Sequence, residues 1–215
     1  MSERYPGYDV LAKRNTPSWN ETTRRVIDER LAQDPHAHQF FTDEEWPTLQ
    51  ALCRRIVPQA PGRTCFAPLA AMIDAKLVAD AGDGYRHASM PDHREAWRRG
   101  LRALDQEAQT RHGARFHALE PAVQDELLKA AQRGDAHAEA WGDMRPEEFF
   151  KRRVLHDVVG AYYAHPRSWN EIGFGGPASP RGYVRMQYDR RDPWEAAEAR
   201  PGQEERIRKL NARVG

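Results

Sequence analysis

The histidines are the side chains of this sequence best suited to bind a metal ion or to move protons near neutral pH. The chain has nine of them, yet none lies three or four residues from another, the spacing that places two imidazoles on one helix face. His36 and His38 are two residues apart, and His87 and His93 flank Asp92. No Glu-x-x-His motif occurs either. The spacing therefore predicts no metal site.

His156, Asp157 and His165 form the other group that could carry acid–base chemistry. A catalytic His–Asp pair needs a nucleophile, and the sequence has no GxSxG elbow, HExxH zinc helix, GxGxxG turn or GxxxxGK[ST] phosphate loop. We therefore predict that the chain has no catalytic residue and no cofactor of its own. His156 and Asp157 are expected to hydrogen-bond the loop that follows them. A small metal-dependent enzyme using these three residues is kept as an alternative.

The overall composition argues against several kinds of partner. The formal net charge is +1, so nothing indicates nucleic acid or an anionic membrane surface. The longest apolar run is far shorter than the roughly 20 residues of a membrane helix, and residues 1–15 show no apolar signal region. We predict a cytoplasmic chain, periplasmic only if a partner carries the signal. Cys53 and Cys65 are predicted to be buried thiols, with a disulfide between them left open.

A strongly apolar helix, predicted over residues 147–163, must position these polar side chains. Leu155 and Val158 fall on its expected buried face. Pro166 prevents the helix from continuing. Residues 165–186 are then predicted to form a loop rich in glycine, proline and aromatic side chains.

Five further helices follow from apolar spacing and capping signals, which predicts an all-α fold, an irregular bundle of about six helices. They are predicted over residues 20–32, 42–57, 67–79, 92–111 and 121–133. The expected organisation is an extended arm over 1–17, a single helical domain over 18–186 and a charged tail over 187–215 that is a marginal helix or disordered.

The loop over 165–186 carries aromatic side chains, including Tyr183, that gain free energy only when they are buried. It either packs on its own domain or docks in part on another chain, because aromatic residues held by glycine turns are good interface anchors. We expect Trp169, close to the helix end, to be structural. Phe174, between two glycines, is expected to be a contact residue.

Three stretches occur in an order and spacing that resemble a known family. They are FTDEEWPTLQALCRRIVPQAPG with the downstream AAMIDAKL, then WRRGLRALDQEAQTRHGARFHAL, and then EEFFKRRVLHDVVGAYYAHPRSWNEIGFGGP, and together they cover roughly residues 39–177. The sequence resembles gluconate 2-dehydrogenase subunit 3, the small subunit of flavin-dependent dehydrogenases for sugars and sugar acids. The family's Tyr-Gly-Gly-Asn step before the tryptophan is shortened here to Arg167-Ser168.

The resemblance implies a non-catalytic helical subunit that binds a large FAD-containing subunit of the glucose-methanol-choline (GMC) oxidoreductase type. It also implies a frequent third partner, a multihaem cytochrome c, and a role in folding and twin-arginine export of the flavoprotein. The residues that match the family as a docking element are Tyr162, Tyr163, Pro166, Trp169, Gly173 and Phe174. A stand-alone structural or stress-related helical protein stays an alternative.

Overall fold

The computed structural model describes residues 4–59, 67–80, 82–84, 87–179, 182, 192 and 194–214. Within these residues the chain forms α-helices and no strand, so the all-α prediction is confirmed. The α-helices are α1 (Glu21–Leu31), α2 (Trp46–Ile56), α3 (Leu69–Val78), α4 (His93–His112), α5 (Pro121–Arg133), α6 (Pro146–Phe149), α7 (His156–Ala164), α8 (Pro166–Ile172) and α9 (Glu204–Asn211). A π-helix, Phe150–Leu155, joins α6 to α7, and short 3-10 helices cover Val10–Asn15, Phe116–Ala118 and Glu139–Trp141.

Local chemistry sets the ends of the helices. The side chain of Asn20 accepts a hydrogen bond from Thr23 N at 2.9 Å and caps α1, and Asp92 caps α4 in the same way. Gly113 and Gly134 end α4 and α5 in the left-handed conformation, which a residue without a Cβ adopts at low cost. The five helices predicted before residue 134 therefore correspond to α1–α5.

The chain divides into two compact units. The first unit comprises Met1–Gln33, Cys65–Ala67 and Tyr163–Gly215, and the second comprises Asp34–Thr64 and Pro68–Tyr162. The single domain expected over 18–186 stays a prediction. Among the described residues, no helix is long and apolar enough to cross a membrane.

The core of the second unit forms where α6 packs against α4. Phe149 lies directly over Gly100, where a Cβ atom would come within 2.2 Å of the Phe149 ring. The rings of Trp97 and Trp141 flank Phe149 at centroid distances of 5.6 and 5.7 Å. All three aromatic side chains are buried, so α4, predicted from its apolar spacing, is a central element of this unit.

The π-helix changes which residues of the predicted 147–163 helix face inward. Val154 and Val158 are fully buried, whereas Leu155 is only half-buried. The expected face assumed 3.6 residues per turn, but a π-helix has a wider turn and shifts the register of every residue after it. The helix and Val158 were predicted correctly, and Leu155 was placed too deep.

The core of the first unit includes residues from the predicted extended arm. Tyr8 and Val10 are buried in an apolar cluster with Trp19, Ile27, Trp169 and Val214. The arm also contains the 3-10 helix Val10–Asn15, capped by the side chain of Asp9. The 3-10 helix departs from the expected extended arm, and the burial of Tyr8 and Val10 contributes to the free energy that offsets the cost of ordering these residues.

Part of the predicted charged tail also belongs to this unit. Helix α9 buries Ile207 and Asn211. Tyr183 and Cys65 lie outside the described residues. The structure therefore does not test a disulfide bond between Cys53 and Cys65. Cys53 is buried in α2, and its burial raises the pKa of the thiol to about 12.

Candidate functional site

The segment from Tyr162 to Phe174, here called the aromatic segment, contains helix α8 where a loop was predicted. Pro166 stops α7, but its fixed φ angle and missing N–H also suit the first position of a new helix. His165 is extended between the two helices, and Gly173 ends α8 with φ at 66°. Seven residues are too few to show a helical repeat in the sequence, which explains why the loop prediction was wrong here.

Trp169 is the buried centre of the aromatic segment. Its side chain is 2% exposed, and its Nε1 donates a hydrogen bond to the carbonyl oxygen of Tyr163 at 2.7 Å. The backbone N–H of Phe174 in turn donates to the carbonyl oxygen of Trp169 at 3.0 Å. The Phe174 ring contacts the Trp169 ring edge-to-face, with centroids 5.6 Å apart. Trp169 therefore supports Phe174 from inside the unit.

The six residues carried over from the family fall into three groups by exposure. Pro166 and Trp169 are buried, and Tyr162 and Gly173 are half-buried. Tyr163 and Phe174 are exposed, at 50% and 39%. Ile172, which was not among the six, is also 39% exposed, and the spacing of α8 alone did not indicate this.

Side chains from the N-terminal part of the first unit bond the backbone around Phe174. The ammonium of Lys13, a fully buried side chain, donates to the carbonyl oxygen of Gly175 at 3.1 Å. The hydroxyl of Tyr8 lies 3.4 Å from the carbonyl oxygen of Phe174. A Cβ atom on Gly173 would lie 2.5 Å from the ring of Tyr5, so the absence of a side chain at Gly173 makes room for the Tyr5 ring. Gly173 therefore helps to hold the segment in place and is not part of its exposed surface.

A second feature, here called the charge cluster, is centred on Asp157 in the second unit. The buried carboxylate of Asp157 accepts hydrogen bonds from Lys76 Nζ at 3.0 Å, His93 Nε2 at 2.7 Å and Trp97 Nε1 at 2.7 Å. Lys76 also donates to Asp83 at 2.7 Å, and Asp83 accepts from Arg153 at 3.0 Å. The cluster therefore joins α3, α4, the π-helix, α7 and the loop that carries Asp83.

The pairing keeps both carboxylates of the cluster ionised. Burial by itself raises the pKa of Asp157, but the hydrogen bonds and charges of His93, Trp97 and Lys76 together hold this pKa below its usual range. Burial likewise opposes ionisation of Asp83, and Lys76 and Arg153 hold the pKa of Asp83 far below its usual range. The charged state is stable here because every buried charge has a partner.

The charge cluster corrects the sequence prediction for His156 and Asp157. Among the described residues, Asp157 bonds α3 and α4 rather than the loop that follows it. His156 is exposed, with its Nε2 3.5 Å from Asp83. His93 and Trp97, four residues apart on α4, share one face and converge on Asp157. That spacing was a readable signal for a common partner, although it did not reveal which residue it was.

The charge cluster offers donor atoms for a metal ion but already contains its own cations. Ligand atoms of Asp83, His156 and Asp157 lie within 4.8 Å of one another. Lys76 lies at hydrogen-bond distance from both carboxylates, where a bridging metal ion would otherwise neutralise them. His165, the third residue of the enzyme alternative, is buried in the first unit and is no part of the cluster. The residues present therefore fit an internal ion network better than a metal centre.

Comparison with known proteins identifies the family of this chain. The family model described as gluconate 2-dehydrogenase subunit 3 matches residues 43–176. No curated protein and no solved structure shows significant similarity to the chain. The matched range covers more than half of the chain and contains α2–α8, the charge cluster and the aromatic segment. The chain therefore belongs to the gluconate 2-dehydrogenase subunit 3 family.

Proposed function

We propose that this chain is a non-catalytic accessory subunit that binds the large FAD-containing, GMC-type subunit of a sugar or sugar-acid dehydrogenase. A multihaem cytochrome c is a further candidate member of the complex. FAD belongs to the partner in this proposal, and the chain itself needs no cofactor. Membership of the family supports the role of a dehydrogenase subunit.

The observation that carries the proposal is the exposure of Phe174 on a buried tryptophan. A phenyl ring left 39% exposed gives up free energy that burial against a partner recovers. Trp169 and the bonds around it hold this ring in place, so little conformational entropy is lost on binding. Tyr163 and Ile172 supply two more exposed apolar side chains within the same segment. Aromatic anchors of this kind dominate the binding energy of protein interfaces.

Replacement of Phe174 by alanine tests this role. Association with the co-expressed flavoprotein should weaken by about 2 kcal/mol, a factor of about 30, if Phe174 is an interface anchor. The midpoint of urea unfolding should hardly change, because the ring is partly exposed in the isolated chain. Leu210→Ala is the matched control, since Leu210 is equally exposed in the same unit but lies outside the aromatic segment. Full binding by a folded Phe174→Ala protein would remove Phe174 from the docking surface.

Co-purification separates the proposal from its alternatives. A tagged copy of the chain should retain a flavoprotein with yellow flavin absorbance, whereas the chain purified alone should carry none. A stand-alone structural protein would retain no flavoprotein under the same conditions. About one zinc or iron per chain after purification would instead favour the small metal-dependent enzyme.

A further inference from the structure

A cavity of about 530 Å³ opens in the second unit beside the charge cluster and takes no part in the proposed docking. Its wall includes the consecutive residues Lys151, Arg152 and Arg153 of the π-helix, and His156 at the start of α7. A π-helix carries more residues per turn than an α-helix, and such turns are frequent at functional sites. The cavity has the size of an ordinary small-ligand site.

Three of the carboxylates near this cavity already accept hydrogen bonds from cationic side chains or Trp97. Asp83 accepts one hydrogen bond on each oxygen, from Lys76 and from Arg153. Both oxygens of Asp157 accept hydrogen bonds within the charge cluster. Glu148 accepts a short hydrogen bond from Arg152. These three carboxylates are therefore engaged within the protein, and the carboxylate acceptors that remain on the described part of the wall are Asp80 and one oxygen of Asp92.

The donors on the wall are only partly used. A guanidinium carries five N–H groups, and the side chains of Arg152 and Arg153 each direct one nitrogen to a carboxylate among the described residues. Lys151 is exposed and forms no ion pair in the described part of the chain. His156 reaches Asp83 only at 3.5 Å, which is long for a hydrogen bond. The wall therefore offers more donors than the protein satisfies.

We propose that this cavity binds a small oxyanion, a carboxylate or a phosphate, through Lys151, Arg152, Arg153 and His156. Guanidinium and ammonium groups recognise both kinds of oxyanion by charge-assisted hydrogen bonds. The proposal does not depend on the docking function, because Trp169 and Phe174, which carry that function, belong to the other unit.

The balance of fixed charge limits the ligand to a small one. Four positive side chains, Lys76, Lys151, Arg152 and Arg153, stand against five negative ones, Asp80, Asp83, Asp92, Glu148 and Asp157. So weak a net field does not attract a polyanion from a distance. Recognition must come from the unused donors at short range, which suits a ligand with a single acidic group.

Titration of the isolated full chain with inorganic phosphate and, separately, with acetate tests the proposal. Binding is followed by calorimetry and by the NMR signals of the histidine Cε1–H groups, with glycerol as the neutral comparison. The test variant carries Lys151→Gln and His156→Gln, two exposed positions on the wall. The matched control carries Lys129→Gln and His112→Gln, which are exposed and lie outside the cavity lining.

At least one of the two anions should bind, should shift the His156 signal and should leave the His112 signal unchanged. The test variant should bind it about tenfold more weakly, since it loses charge-assisted hydrogen bonds, and the control should bind as the unchanged chain does. Binding of acetate alone or of phosphate alone would support the proposal and identify the oxyanion. Binding of neither anion, equal binding by the test variant, or equal binding of glycerol would overturn it.

Discussion

Trp169 and Phe174 touch ring to ring, yet Trp169 is buried and Phe174 is exposed. Trp169 is enclosed by the apolar cluster of the first unit and uses its Nε1 hydrogen bond internally. Phe174 turns part of its ring to solvent. The same truncation to alanine therefore measures stability at one residue and partner binding at the other.

Trp169→Ala should lower the free energy of unfolding by about 3 to 5 kcal/mol, because it leaves a large cavity in a packed cluster. Urea denaturation followed by circular dichroism measures this loss. Any weakening of flavoprotein binding should only follow the unfolded fraction of the variant. A stability loss below about 1 kcal/mol would show that Trp169 does not support the segment in this way.

His165 gives the first unit a predicted sensitivity to acid. It is 2% exposed, and its Nδ1 has no hydrogen-bond partner among the described residues. Burial, followed by the positive charges of Arg167 and Arg30, lowers its pKa from 6.5 to about 4. Since the unfolded chain binds this proton first as pH falls, the stability from a neutral His165 is complete above pH 6.5 and is lost between pH 6.5 and pH 4.

The His165→Gln variant should therefore lose less stability than the unchanged chain between pH 6.5 and pH 4. The difference should amount to about 2 to 3 kcal/mol, from the linkage between a depressed pKa and unfolding. Urea unfolding at several pH values measures it, and comparing the two proteins removes the contribution of the other titrating groups. If the stability of the two proteins depends on pH in the same way, His165 has the same pKa in the folded and the unfolded chain.

At the scale of elements, Asp157 connects helices that are far apart in sequence. Lys76 and Trp97, which it bonds, lie 81 and 60 residues away on α3 and α4. Each helix also has its own apolar face, so the cluster adds orientation to contacts that are otherwise non-directional.

Asp157→Asn should destabilise the chain by about 3 to 5 kcal/mol, because Lys76 then lies partly buried with one carboxylate fewer. Asp143→Asn is the matched control, since the side chain of Asp143 is almost fully exposed and its ion pair with Arg99 is a surface one. Urea unfolding of both variants decides the matter. Equal effects of the two substitutions would show that the charge cluster adds nothing to stability.

Some of these elements could be predicted from the sequence and others could not. Helix α4 was predictable because Trp97, Leu101 and Leu104 repeat at helical spacing, and its ends carry Asp92 and Gly113. The π-helix was not predictable, because no composition rule marks a single wide turn. The charge cluster was not either: which carboxylate meets which lysine depends on helix packing between positions that are far apart in sequence. Of the aromatic segment, sequence predicted a structural Trp169 and a contact role for Phe174, and the burial of the one and the exposure of the other agree with this division. Sequence did not reveal helix α8, which orients both residues.

At the scale of the whole molecule, the two ends of the described chain are joined within the first unit. The side chain of Asn211 in α9 donates to the carbonyl oxygen of Pro6 at 3.0 Å and also bonds both backbone groups of Ala197. Arg4 forms an ion pair with Glu198 at 2.7 Å, but both side chains are exposed. The buried Asn211 is therefore the stronger connection.

Asn211→Ala should cost about 1 to 3 kcal/mol, since it leaves buried backbone groups without partners. Arg4→Ala should cost less than about 1 kcal/mol, as expected for an exposed ion pair. Thermal unfolding of the two variants compares them directly. If Arg4→Ala proves the more damaging, the ends are joined by surface charge instead.

The joining of residues 4–33 with residues 163–214 has a consequence for the order of synthesis. The second unit lies almost entirely between these stretches, so its residues leave the ribosome before the first unit can be completed. At roughly 5 to 20 residues per second, the 129 residues from 34 to 162 take on the order of 10 seconds to translate. During that interval Tyr8, Val10 and Trp19 have no Trp169 to pack against. A nascent chain therefore cannot present Phe174 on its support until residues 169–175 have been added, and a partner that recognises this surface would bind only chains whose translation has passed that point.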